Sequence, residues 1–174
     1  PLVALFILLF IESKRERLIS SLVLISTITG LFMSLLAFLY WMLGEGKPIY
    51  HKVGSIYSHH DFDFIFGFYY DLNSGVFQLL GALLFFVVAL FSKFYMHREE
   101  GFKRYFFAFL FFMTGYNIAV LSGNFESFFV GWEIIGISSF LLIAFYRDRI
   151  LPVRNGFKVL SFYRLGDIFL IMAL

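Results

Sequence analysis

Apolar residues run through this chain in long blocks, separated by short charged or polar breaks. A helix that crosses a bilayer needs about 20 predominantly apolar residues, and the blocks at 18–43, 72–91, 105–122 and 125–146 are of that order. Two shorter or clipped blocks, 1–11 and 153–174, stand at the ends and read as truncated helices of a longer protein. The first is not a secretory signal, because it has neither a basic leading region nor a small-residue cleavage site. The pattern predicts an all-α polytopic membrane protein: six transmembrane helices, the outer two truncated, in one membrane domain over 1–174. The stretch 44–70 is the one sizeable extramembrane piece. From Asp61 it alternates, with Phe62, Phe64, Phe66, Phe68 and Tyr70 at the even positions. Aromatics at period 2 lay one face of a strand on an apolar surface. A short β-hairpin between helices two and three is predicted, resting on the helix ends, with Asp71 or Asn73 near the cap of helix three.

Composition sharpens this reading. Of 174 residues, 60% are hydrophobic, 22% aromatic and 15% charged, with no cysteine, against about 45–50% apolar and about 25% charged in soluble domains. A soluble enzyme, a disordered tail and a disulfide scaffold are excluded. Without cysteine there is no thiolate iron–sulfur ligation, no Cys-type zinc site and no covalent haem attachment. The net charge of +2 is dispersed and does not point to nucleic acid.

Where the cations fall predicts an orientation. Lys14, Arg15 and Arg17 lie between the first two helices, and Lys93, Arg98, Lys103 and Arg104 between the third and fourth. Arg147, Arg149, Arg154 and Lys158 follow the fifth. The other side has Lys47 and Lys52. The bias places the N-terminus outside and the basic connections inside.

Bis-histidine haem needs imidazoles inside helices, yet His51, His59, His60 and His97 all fall in connections. The run His59-His60-Asp61-Phe62-Asp63 has the residue types of a metal cluster, but strand alternation turns His60 away from Asp61 and Asp63, so a solvated loop is expected. The informative groups are ionisable residues at bilayer depth, each costing about 2.5–3.5 kcal/mol at a helix centre. Glu133 lies in helix five between Gly131-Trp132 and Ile134-Ile135-Gly136, with no opposite charge one turn away on its own helix. Its partner must come from another helix, or it must be protonated. Asp167 lies at similar depth in helix six, and Arg164, three residues earlier, can pair with it. Lys158 stands one to two turns inside the inner end of helix six, where lysines commonly snorkel. An internal ion pair that fixes packing is the plain alternative for Arg164 and Asp167. A carboxyl free to choose its protonation state is what a proton relay requires, which makes Glu133 the leading candidate. Gly131 and Gly136 would allow close helix approach beside it.

The block Gly131-Trp132-Glu133-Ile134-Ile135-Gly136, followed by Tyr163-Arg164-Leu165-Gly166-Asp167, resembles the large antiporter-like membrane subunit of respiratory complex I, chain 5 of NADH:quinone oxidoreductase. It is similar as well to the large subunit of Mrp-type sodium/proton antiporters and to a membrane subunit of bacterial inorganic-carbon uptake. Phe68-Tyr69-Tyr70-Asp71 and Ser122-Gly123-Asn124-Phe125 fit the same order. The resemblance implies that Glu133 is the family's fifth-helix glutamate, Lys158 its sixth-helix lysine and Asp167 its Arg-x-Gly-Asp aspartate. It also implies a lysine partner for Glu133 on a seventh helix that lies beyond these residues. Tyr163 stands where the family often has Asn or Thr, and 147–153 departs from the usual connection, which suggests a bacterial member in an inner membrane rather than a mitochondrial one.

The function implied is proton translocation through intramembrane carboxylates and lysines, with protons or Na+ as the moved ion and other membrane subunits and the lipid bilayer as partners. Three assemblies stay open: complex I, an Mrp antiporter, or carbon uptake. A non-conducting structural subunit is the alternative of another class. No cofactor is expected, since there is no Gly-x-Gly-x-x-Gly after a strand and no thiolate or helical histidine. Any catalytic redox chemistry would belong to partner subunits.

Overall fold

The apolar blocks fold as helices because no proline interrupts them; Pro152 falls in the first turn of its helix, where its missing N–H is harmless. The computed structural model describes residues 1–44, 46–59 and 62–172, excepting the side chains of 55–59 and 62–65. The order is α1 (Leu2–Phe10), α2 (Glu16–Leu43), β1 (Ile49–His59), β2 (Phe62–Tyr70), α3 (Leu72–Tyr95), α4 (Phe102–Val120), α5 (Phe125–Ile143) and α6 (Ile150–Met172). Asp71 caps α3 by accepting from the Ser74 N–H at 2.8 Å, and Asn124 caps α5 by accepting from the Ser127 N–H at 3.2 Å.

Helix α4 is the centre of the bundle, touched by α1, α2, α3 and α5, while α6 packs on α5 alone among the helices. Phe106, Leu110 and Met113 of α4 are buried with Leu8, Ile19, Val23 and Phe85. Phe85 meets Phe109, Phe112 and Tyr116 edge-on, at centroid distances of 5.7, 5.9 and 5.4 Å, the geometry that aromatic quadrupoles favour. Helix α2 turns Ser20, Ser26, Thr27 and Ser34 inward and leaves Ile25, Ile28, Phe32 and Leu35 exposed. Small residues inside and large apolar ones outside is the arrangement of a helix whose solvent is hydrocarbon.

Six helices form, but the six transmembrane spans expected from block length do not. Among the described residues only α2, α3 and α5 combine the length and apolar composition needed to cross a membrane. Helix α1 has 9 residues. Helix α4 opens on Lys103 and Arg104 and carries Thr114, Tyr116 and Asn117, and α6 carries Arg154, Lys158, Arg164 and Asp167. The reason lies in what these helices face. Protein covers most of α4, and α6 turns Arg164 and Asp167 toward α5 while Phe162, Ile168 and Phe169 are exposed on its outer face, so the polar content that lowers the hydropathy of each is directed at protein. Counting apolar runs does not register that difference.

The two ends of the bundle are distinct. At one, the Glu16 carboxylate lies 2.8 Å from His97 Nδ1 and accepts from the Arg98 N–H at 3.4 Å. There Lys103 donates to the Leu9 carbonyl and Arg104 to that of Phe145, at 3.0 and 3.2 Å. The connections after α1, α3 and α5 therefore meet. At the other end, β1 and β2 pair antiparallel, with register shifts between Lys52 and Gly54 and between Ser55 and Tyr57. The outer edge of β2 is closed by the α4–α5 turn: the Tyr69 N–H donates to Leu121 C=O and the Gly123 N–H to Gly67 C=O, each at 2.8 Å. The Gly67 N–H donates to the buried Ser127 Oγ at 3.1 Å. An edge strand that would otherwise template aggregation is thereby paired. Of the aromatic face expected on β2, Phe66, Phe68 and Tyr70 are partly buried, with the first two rings 5.5 Å apart. The side chains of Phe62 and Phe64 lie outside the described ones. So do His60 and Asp61, and with them the question of a metal cluster over His59–Asp63.

Helices α4 and α5 approach backbone to backbone. A Cβ on Gly131 would stand 2.5 Å from the Ala119 nitrogen and 2.9 Å from the Gly115 oxygen. Gly136 has ordinary room, with Tyr163 Cδ2 at 3.7 Å. Replacing Gly131 by Ala should therefore lower stability by roughly 1–3 kcal/mol through overpacking, while Gly136→Ala should leave it nearly unchanged. Thermal unfolding of the two variants in detergent checks the contrast.

Candidate functional site

On α6, the residues Leu160, Tyr163, Arg164 and Asp167 recur at helical spacing and face α5. Across from them stand Trp132, Glu133, Ile135 and Gly136, and together these residues enclose a cavity of about 110 Å³. Such a space accommodates several water molecules.

Arg164 sits between the two carboxylates. Its Nη1 lies 2.6 Å from Glu133 Oε1 and 2.5 Å from Oε2, and 3.3 Å from Asp167 Oδ2. The second Asp167 oxygen, Oδ1, accepts from the Trp132 indole N–H at 2.9 Å. Burial is graded: the Asp167 side chain is 9% exposed, Glu133 22% and Arg164 46%. Two acids thus share one cation, and with both ionised the group carries a net negative charge that a single proton neutralises. The most buried acid holds the most fixed partners.

The expected Arg164–Asp167 pair within α6 is present, and it is the longer of the two contacts. Glu133 finds its opposite charge on another helix, as the lack of one on α5 requires. That this charge is Arg164 was not legible, since sequence spacing reports only intrahelical neighbours. Trp132 was missed as a site residue altogether; its place beside Glu133 was the available signal. Its ring also stacks on Phe128 at 5.9 Å. Lys158 does not join the group. It is exposed on the opposite face of α6, in a groove shared with Arg154, Ser161 and Phe162.

Two segments of the chain match known families. Residues 57–106 match NADH-Ubiquinone oxidoreductase (complex I), chain 5 N-terminus. Residues 122–174, which hold all four candidate residues, match NADH:quinone oxidoreductase/Mrp antiporter, TM. The chain is 30% identical over 130 residues to the chloroplastic NAD(P)H-quinone oxidoreductase subunit 5 of Ranunculus macranthus, covering 75% of this chain and 18% of that one. It is 35% identical over 88 residues to NADH-quinone oxidoreductase subunit L of Buchnera aphidicola, covering 51% and 14%. With NADH-ubiquinone oxidoreductase chain 5 of Paramecium tetraurelia it shares 36% over 109 residues, 63% of this chain and 19% of the relative. The chain therefore spans less than a fifth of the length of each. Its fold matches a chain of the membrane-bound sulfane sulfur reductase, an archaeal respiratory membrane complex, at TM-score 0.79 and 23% identity, over 99% of this chain and 34% of that one.

Replacing Trp132 by Phe keeps an aromatic ring on Phe128 and deletes the indole donor to Asp167. A hydrogen bond to a charged group contributes roughly 1.5–3 kcal/mol, and a loss of that size is expected. The effect should largely vanish on an Asp167→Ala background, which removes the acceptor, and a double-mutant cycle of unfolding midpoints measures it.

Proposed function

Because the chain belongs to the antiporter-like large membrane subunit family of NADH:quinone oxidoreductase and Mrp antiporters, we propose that it forms part of a proton-translocating membrane subunit in which Glu133 is the exchanging acid. The observation that carries the reading is the single guanidinium held between two carboxylates, one on α5 and one on α6. When Arg164 leans on Glu133, that carboxylate is balanced and ionised. When Arg164 shifts to Asp167, Glu133 is left in a medium that does not tolerate a lone charge, and it takes up a proton. Asp167, anchored by the Trp132 indole, is the fixed pole of this movement. Lys158, nearer the basic end, is proposed to stand at the inner approach.

A chain 5-like subunit of a multisubunit respiratory complex is the assembly this reading favours, supported by the match at 57–106. An Mrp-type sodium/proton antiporter is the second reading, favoured by the description of the segment that holds the acids. Na+ dependence of transport by the intact assembly separates them. In membrane vesicles carrying the full assembly, Glu133→Gln should abolish proton translocation and leave subunit composition unchanged. Glutamine keeps the size and a carbonyl acceptor for Arg164, and Asp167 still balances that guanidinium, so a purely structural role would survive the change. Undiminished pumping by the variant would sink the proposal.

We propose a bacterial inner membrane, with the hairpin outside and the basic connections inside. The N-terminal end of α1 is placed on the hairpin side, where Pro1 borders the same cavity as Tyr70 and Leu121. The distribution of Lys and Arg supports this sense. On this cysteine-free background, a cysteine replacing the exposed Val53 should react with an impermeant reagent from outside, and one replacing Arg98 only from inside. The reverse pattern overturns the orientation.

A further inference from the structure

A cavity of about 680 Å³ opens at the basic end of the bundle, between the start of α2 and the end of α3. Its size is within the about 300–1,000 Å³ of ligand clefts. Lys14, Arg15 and Arg17 line it from the α1–α2 connection and the first turn of α2, and Lys93 from the last turn of α3. Two separate parts of the chain thus bring four cations to one cleft.

These cations are poorly matched by protein. The carboxylate in the cleft, Glu16, is already engaged by His97 and the Arg98 N–H. Arg15 reaches Glu12 only at 3.8 Å, with both side chains mostly exposed. Lys93 sits 5.9 Å over the Phe94 ring, and no ion pair is formed by Lys14 or Arg17 among the described residues. Helix α2 begins here with Arg15 at its N-cap and no side-chain capping bond, so the positive end of the helix adds to the field.

The depth of the cleft identifies the anion. Arg17 and Lys93 stand at the ends of two of the three helices that qualify as membrane spans, which is the level of lipid headgroups. The rim is apolar, with Leu18 51% and Phe94 77% exposed. Basic pockets between membrane helices are suited to anionic headgroups. We propose that this cleft is a binding site for one anionic phospholipid, its phosphate held by Lys14, Arg17 and Lys93 and an acyl chain laid along Leu18 and Phe94. The site is separate from the Glu133–Arg164–Asp167 group and does not depend on the role given to it.

The test is lipid retention. The purified protein is reconstituted in vesicles of phosphatidylcholine and phosphatidylglycerol, extracted in mild detergent and weighed intact by native mass spectrometry. One phosphatidylglycerol per chain should be retained in preference to phosphatidylcholine. Each of Lys14→Gln, Arg17→Gln and Lys93→Gln should weaken retention about fivefold, and the three together on the order of 100-fold. Lys52→Gln, at the hairpin end, should change nothing. Three results would overturn the proposal: equal retention of both lipids, wild-type retention by the triple variant, or displacement of the lipid by millimolar inorganic phosphate. The last would make the cleft a free-phosphate site. The single variants carry the test should the triple one fail to fold.

Discussion

A carboxylate withdrawn from water is tolerated only beside a compensating charge or donor, and the seam between α5 and α6 is organised by that requirement. Glu133 and Asp167 sit on different helices and share Arg164. Asp167, the more buried, takes a further donor from Trp132. The sharing does structural work at the same time, because α6 has no other helix to pack on among those described. These polar contacts hold it there together with the Phe140–Phe157 ring contact and the close approach of Gly156 to Phe140 and Ala144. The charge content that disqualifies α6 as a simple apolar span is thus also one of the means by which it docks.

That seam depends on a second constraint one layer inward. Gly131 lets α5 lie with its backbone against Ala119 of α4, and the next two residues, Trp132 and Glu133, are carried round the helix toward α6. The glycine is on the core side and the acid on the far side of the same turn. Close packing inward and charge pairing outward are therefore adjacent in sequence because a helix places successive residues about 100° apart.

Much of this was legible in the sequence, for identifiable reasons. Period-2 aromatics before Asp71 announced the hairpin, and the aspartate announced the start of α3. Glu133 stood out because nothing on its own helix could neutralise it. What was not legible was three-dimensional. Run length counted α1, α4 and α6 as spans, although shortness sets α1 apart and polar and charged residues set α4 and α6 apart. The partner of Glu133 lies 31 residues away, and no local spacing reports it. Gly131 and Gly136 looked equivalent as small residues, yet only the first meets a neighbouring backbone. The closure of β2 by the α4–α5 turn has no periodic signature at all.

That closure has a mechanical meaning. Ser127, which receives the Gly67 N–H, is in the first turn of α5, and Glu133 is on the same helix roughly 9 Å further along its axis. Leu121 and Gly123 fasten β2 to the segment just before it. The strand and the upper part of the helix are consequently one rigid lever. A displacement of the hairpin would therefore be felt first at the N-terminal turn of α5, on the helix that carries Glu133. The hairpin end of the molecule is thus fastened to the helix that bears the acid.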